Sequence, residues 1–138
     1  MRQQTQQVRA YSENDSLSVI SKSISQEKIG RYANASGDHN PLHLDPAFAA
    51  TTQFGGTIAH GMLVLAYVSE MMTAAFGEAW LKGGRLKVRL RGAARPGDTV
   101  TAAGRIVRVE SVRTVCEVEC RNHKGELLIS GEAEVTIR

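Results

Sequence analysis

The 138-residue sequence predicts an α+β fold, a single domain in which an antiparallel sheet wraps around one long central helix. Three observations predict it. Residues Met62 to Phe76 form an almost wholly apolar run of helical length without a polar face, so the helix must be covered on several sides. After it come runs in which apolar and polar residues alternate, which is the strand period. Between those runs stand compact turn signals, Pro96-Gly97-Asp98 and Asn122 to Gly125, of the kind that join antiparallel strands.

Each element carries its own local signal. The first fifteen residues are polar, lack the apolar core of a secretory signal, and read as a flexible leader over 1–15 before a domain over 16–138. Leu17 to Ile24 mixes β-branched residues with serines and reads as a strand despite weak alternation. Ser25 caps a helix with Glu27 in its first turn, Ile29, Tyr32 and Ala33 on its apolar side, and Gly37 as its stop. Asp38 then opens a loop. Asp45 before Pro46 is a second helix entrance, leading to a short turn over Ala47 to Thr51. Gly55 and Gly56 loosen the backbone before the central helix, which begins at His60.

The strands follow. Leu86, Val88 and Leu90 alternate; Thr99 to Val109 forms the next strand, with Gly104 as a bulge. Val112, Thr114, Cys116, Val118 and Cys120 share one inward face, and Leu127, Ile129, Gly131, Ala133, Val135 and Ile137 share another.

Composition narrows the function. Hydrophobic residues at 42% and charged residues at 22% are ordinary for a folded domain. The net charge of +3 is spread along the chain, which argues against a nucleic-acid partner. The densest cluster, Arg85 to Arg95, alternates with apolar residues and reads as a solvated strand face that also offers cations to an anionic substrate handle. The central run is shorter than the roughly 20 residues that cross a bilayer and contains Ser69, Glu70 and Thr73, so no membrane partner is expected. The two cysteines, four residues apart on one strand, lie too far from each other to bridge, and unbridged thiols fit a reducing, cytoplasmic setting.

The chemistry is concentrated in Ser36-Gly37-Asp38-His39-Asn40-Pro41-Leu42-His43-Leu44-Asp45-Pro46. Pro41 stiffens the backbone between Asp38 and His43, fixing a carboxylate and an imidazole at one separation. Adding water to a conjugated double bond needs a group that takes a proton from water and a group that delivers one to the α-carbon, and this pair supplies both. Partial burial of Asp38 is expected to help. The reaction drives negative charge onto a carbonyl oxygen, and His60-Gly61-Met62 at the start of the central helix is the segment expected to bind it, with the Gly61 amide as donor. His39 and His43, four apart, also admit a metal reading, but a third ligand at suitable spacing is missing. Ser69, two turns along the helix from Gly61, either faces the same cavity or bonds back to a backbone carbonyl.

Tyr32 through Phe48, with SGDHNPLHLDPAF inside it, together with AHGML over Ala59 to Leu63, resemble the MaoC-like dehydratases and (R)-specific enoyl-CoA hydratases. The resemblance implies a hot-dog fold, a homodimer or dimer of dimers joined through one continuous sheet, and a coenzyme A or acyl-carrier thioester as substrate, with no further cofactor and no metal. It assigns Asp38 and His43 as the hydratase dyad, Asn40 as a polar support that orients the dyad or the water, Gly61 as the oxyanion amide, and Ser69 as a serine implicated in some members. His39 fills a slot that is often apolar, which would put a titratable group beside the dyad, and Thr57 stands where proline is common. Two other readings share the fold: a thioesterase using an acidic residue near the helix such as Glu70, and a non-catalytic acyl-thioester binding module.

Overall fold

The computed structural model describes residues 10–137 and places helices α1 (Gln26–Ser36), α2 (Pro41–Leu44), α3 (Pro46–Ala50), α4 (Gly61–Phe76) and α5 (Glu78–Gly83) among strands β1 (Ile20–Ser23), β2 (Gly84–Leu90), β3 (Thr99–Val109), β4 (Arg113–Asn122) and β5 (Leu127–Thr136). The strands form one antiparallel sheet in the order β1-β3-β4-β5-β2. This is the α+β hot-dog arrangement that the sequence predicts.

The caps explain where the short helices begin and end. Ser25 accepts from the Lys28 amide at 3.0 Å to open α1, and Gly37, at φ 79°, closes it with its amide on the Ala33 carbonyl. That left-handed backbone would strain a side chain, so glycine is the residue that lets the chain turn into the loop carrying Asp38. Asn40 Oδ1 accepts from Leu42 N at 3.0 Å and opens α2, while Asp45 Oδ1 accepts from Ala47 N and Phe48 N and opens α3. Pro41 and Pro46 are the first residues of their helices, where a missing N–H costs nothing.

Helix α4 packs on β1, β3, β4 and β5, with Val68, Met71 and Met72 fully buried against Ile106, Cys116, Val118, Ile129 and Val135. Each such side chain removed from water contributes about 1.5–3 kcal/mol, so packing rather than helix propensity holds α4. The helix is not covered all round, however. Met62, Ala66, Glu70 and Ala74, spaced by four, form an exposed stripe, with Met62 60% exposed.

Other expectations need correction. Part of the expected leader packs on the domain: Asn14 N and Asp15 O bond to the Ile106 carbonyl and amide, the Arg105 guanidinium donates to Asn14 Oδ1, and Tyr11 lies 5.1 Å from the Phe76 ring. These contacts pin polar residues by backbone pairing, which composition does not reveal; residues 1–9 of the expected leader lie outside the described residues. Strand β1 covers only Ile20–Ser23 of the expected Leu17 to Ile24, although Leu17 and Ile24 are buried. Gly104 pairs regularly with Val118, and the irregularity of β3 lies between Ile106 and Arg108. Gly104 instead makes room, because a Cβ there would meet Leu17 Cδ1 and Met71 Cε at 3.1 Å each. Val112 lies in the β3–β4 turn and is 58% exposed rather than inward-facing. Strand β5 carries one surplus residue, Leu128, between the pairs Cys120↔Ile129 and Arg121↔Leu127, so Leu128 is buried while Leu127 is only half-buried.

Candidate active site

The loop from Gly37 to Asn40 and the single turn of α2 carry the two groups that the sequence singles out. His43 Nδ1 lies 2.8 Å from the Ile58 carbonyl oxygen. A carbonyl only accepts, so Nδ1 bears a hydrogen, and in the neutral ring Nε2 presents a lone pair. That Nε2 faces Asp38 Oδ2 at 3.9 Å, beyond hydrogen-bond length. Two acceptors facing each other across such a gap are joined by a shared proton or by a molecule that donates to both, such as water. The remaining carboxylate oxygen, Oδ1, accepts from the Asn40 amide at 3.2 Å.

His43 is buried, with a side chain 11% exposed, whereas that of Asp38 is 55% exposed. The burial expected of Asp38 is therefore absent in the single chain. The loop leaves its carboxylate on the open side.

The backbone of α2 is held by two residues that the sequence did not single out in this role. Gln26, the first residue of α1, donates from Nε2 to the His43 carbonyl at 2.7 Å, and its Oε1 accepts from Thr57 Oγ1 at 2.7 Å. A proline at position 57 could not make the second bond. His60, 2% exposed, is the third support: its Nε2 donates to the Asp38 carbonyl at 2.9 Å, and its ring stacks on that of His43 with centroids 3.8 Å apart and planes at 25°.

Gly61 begins α4 immediately after His60. The Leu63 and Val64 amides bond to the His60 carbonyl, while among the described residues nothing accepts from the amides of Gly61 and Met62, which belong to the open first turn of the helix. Gly61 lines a cavity of about 320 Å³ together with Phe54, Ile58, Val64, Leu90 and Ile129. The exit of β2 also lines it, and there the Arg91 and Gly92 amides both bond to the carbonyl of Leu128. Leu90 leans directly over Gly61, since a Cβ on that glycine would sit 2.6 Å from Leu90 Cδ1.

A family model described as the MaoC like domain matches residues 7–126. The chain belongs to the MaoC-like family. Among curated relatives, it is 34% identical over 123 residues to the (R)-specific enoyl-CoA hydratase of Aeromonas caviae, covering 86% of this chain and 90% of that one. It is 36% identical over 109 residues to the 3-hydroxyacyl-thioester dehydratase Z of Mycobacterium tuberculosis, covering 70% and 72%. Among solved structures, the unliganded R-hydratase PhaJ1 of Pseudomonas aeruginosa superposes with a TM-score of 0.80 at 29% identity, over 92% of this chain and 82% of that one.

Within this MaoC-like site the residues divide clearly. Asp38, His43 and His60 converge, with potential ligand atoms within 4.8 Å of one another. An imidazole binds an ion in its ring plane, and two rings stacked at 25° cannot both aim at one ion, so the donor set suits proton sharing better than metal binding. Asn40 supports the pair twice, capping α2 with its side chain and holding Asp38 with its amide. His39 turns away, its Nε2 paired with Asn34 Oδ1 at 3.1 Å, so the titratable neighbour expected beside the dyad is directed at α1 instead.

Ser69 has a partner that neither sequence reading named. Its hydroxyl accepts from Trp80 Nε1 at 2.9 Å, a partner on α5, and eight residues of helix put it about 12 Å along the axis from Gly61. His60 does not present its side chain to a ligand, and Met62 lies on the exposed stripe. Glu70 is engaged by Lys22 at 3.1 Å.

Proposed function

We propose that this MaoC-like chain is an (R)-specific enoyl-thioester hydratase, running in reverse as a 3-hydroxyacyl-thioester dehydratase. The observation that carries it is the lone pair of His43 Nε2 facing the Asp38 carboxylate at 3.9 Å, with the Gly61 amide at a helix start nearby in the chain. A water donating to both acceptors is oriented for addition to the β-carbon of a conjugated thioester. As its oxygen adds, the pair takes up the released proton and returns one to the α-carbon, ending in the protonation state in which it began. Charge that moves onto the thioester oxygen meets the Gly61 amide and the positive end of α4. No step requires a metal or a cofactor beyond the thioester itself.

Coenzyme A or an acyl carrier is the proposed handle. The apolar cavity beside Gly61 suits an acyl or pantetheine segment, and Arg91, on its wall, offers a cation to a phosphate. The functional unit is a homodimer: β2 is an unpaired sheet edge, α4 has an exposed, largely apolar stripe, and Asp38 lies open, which a second copy would cover. No described helix is long and apolar enough to cross a membrane, and the two free cysteines support a cytoplasmic setting.

The test is loss of conjugated-thioester absorbance with crotonyl-CoA. Asp38→Asn and His43→Ala are each expected to lower kcat on the order of 10²–10⁴-fold while melting cooperatively. Unchanged turnover in either folded variant removes the dyad from the chemistry.

A further inference from the structure

His60 makes more contacts with the dyad than any role in binding substrate explains. Its Nε2–H is committed to the Asp38 carbonyl, leaving Nδ1 as a buried acceptor without a hydrogen-bond partner among the described residues. An unsatisfied buried nitrogen is costly, so a residue that keeps one needs a reason to be imidazole. An apolar ring would stack on His43 without stranding a nitrogen, but would not hold the loop. An amide would hold the loop but would not stack.

We propose that His60 is a positioning residue that sets the separation and attitude of Asp38 and His43, an assignment that rests on the hydratase reading. Three anchors in one residue make this possible. The side-chain bond fixes the backbone of Asp38, and the ring face fixes the plane of His43 at 3.8 Å. The main-chain carbonyl accepts from Leu63 and Val64 and so starts α4 at Gly61. Carboxylate, imidazole and oxyanion amide are thereby referred to one residue, with the Tyr32 ring of α1 bracing it at 4.8 Å and 60°. The stack also has a chemical consequence. When His43 takes a proton, the resulting cation lies over the face of a neutral aromatic ring, which attracts it. The help is absent when His43 is neutral, so it favours the charged stage of the cycle.

Three substitutions separate the contacts. His60→Phe keeps a ring and loses the donor; His60→Gln keeps a donor and loses the ring; His60→Ala loses both. Hydration of crotonyl-CoA is expected to show kcat reduced on the order of 10²-fold in His60→Ala, with Phe and Gln each recovering part of it, and KM within about threefold throughout. A substrate-binding role predicts the opposite split, with KM rising and kcat kept, and that result overturns the proposal. So does full kcat in His60→Ala. If His60→Ala does not fold, the Phe and Gln variants decide, since kcat equal to wild type in both overturns it. Should the wild type hydrate no enoyl thioester, the hydratase reading fails separately. Positioning is then decided by crystal structures: a His43 Nε2 to Asp38 Oδ2 distance still at 3.9 Å in the variants overturns it, and a widened gap or rotated His43 ring sustains it.

Discussion

Replacing Gly61 by alanine separates what the fold needs from what the reaction needs. A Cβ at this position would lie 2.6 Å from Leu90 Cδ1, too close to stand. Leu90 is the last residue of β2 and 57% exposed, and the offending atom is the end of a rotatable side chain, so it can swing aside at about 0.5–1.5 kcal/mol. Alanine returns up to about 1 kcal/mol of helix propensity relative to glycine. The two terms nearly cancel, and for a chain of this length the melting temperature is expected to move by no more than about 4 °C. Catalysis has no such compensation. The amide itself remains, but the new methyl beside it crowds the oxygen that it must reach, and denying the oxyanion one such donor costs up to about 2.7–4 kcal/mol of barrier, or 10²–10³ in kcat. Paired thermal melts and crotonyl-CoA kinetics read the two effects from one preparation. A folded Gly61→Ala protein with wild-type kcat would refute the view that a side chain here keeps the oxygen from its amide, and one that unfolds would refute the view that Leu90 yields cheaply.

Three other outcomes follow from contacts away from the reacting atoms. Gln26→Leu leaves the Thr57 hydroxyl and the His43 carbonyl without their 2.7 Å partners and should lower stability by about 1–3 kcal/mol, seen as a lower urea midpoint at unchanged slope, with kcat falling too. Ser69→Ala strands the Trp80 indole N–H and should cost a similar amount, about 1–3 kcal/mol, while kcat stays within about threefold; the single tryptophan reports the change by fluorescence, and a collapsed kcat at unchanged stability would make the hydroxyl a reacting group. Burial pushes the Cys116 and Cys120 thiols up from 9.0 to about 11. Between those values the unfolded chain has released protons that the folded chain still holds, so stability is full below about 9 and falls as pH rises toward about 11. A Cys116→Ala, Cys120→Ala double variant should therefore melt earlier at neutral pH yet show a flatter alkaline decline, and an equally steep decline would locate the effect elsewhere.

Features written in neighbouring residues were legible in the sequence. Ser25, Gly37, Asp45 and Pro46 act on amides within a few positions of themselves, and the alternation of β2, β3 and β4 reports a local period. The Asp38 to His43 loop stood out because polar and turn residues crowd it. What escaped depends on partners far along the chain. Gln26 and Thr57 meet across 31 positions, and Ser69 meets Trp80 through α5, a helix of six residues with no preceding cap signal. His60 read as part of the substrate-binding segment because it precedes Gly61; only the fold turns its ring onto His43. The docking of Asn14 and Asp15 on β3 rests on backbone bonds, which every residue can offer.

The surplus residue of β5 makes one kind of sequence change unusually revealing. Leu128 lies between two pairs that are otherwise in step, so a chain lacking it can close Leu127 and Ile129 against Arg121 and Cys120 with every later side chain still facing the way it did. The sheet would survive the shortening. The Arg91 and Gly92 amides would lose the Leu128 carbonyl that they share, and the part of the cavity that they line would come loose. A one-residue deletion thus leaves the scaffold standing while dismantling the side of the cavity built from the exit of β2.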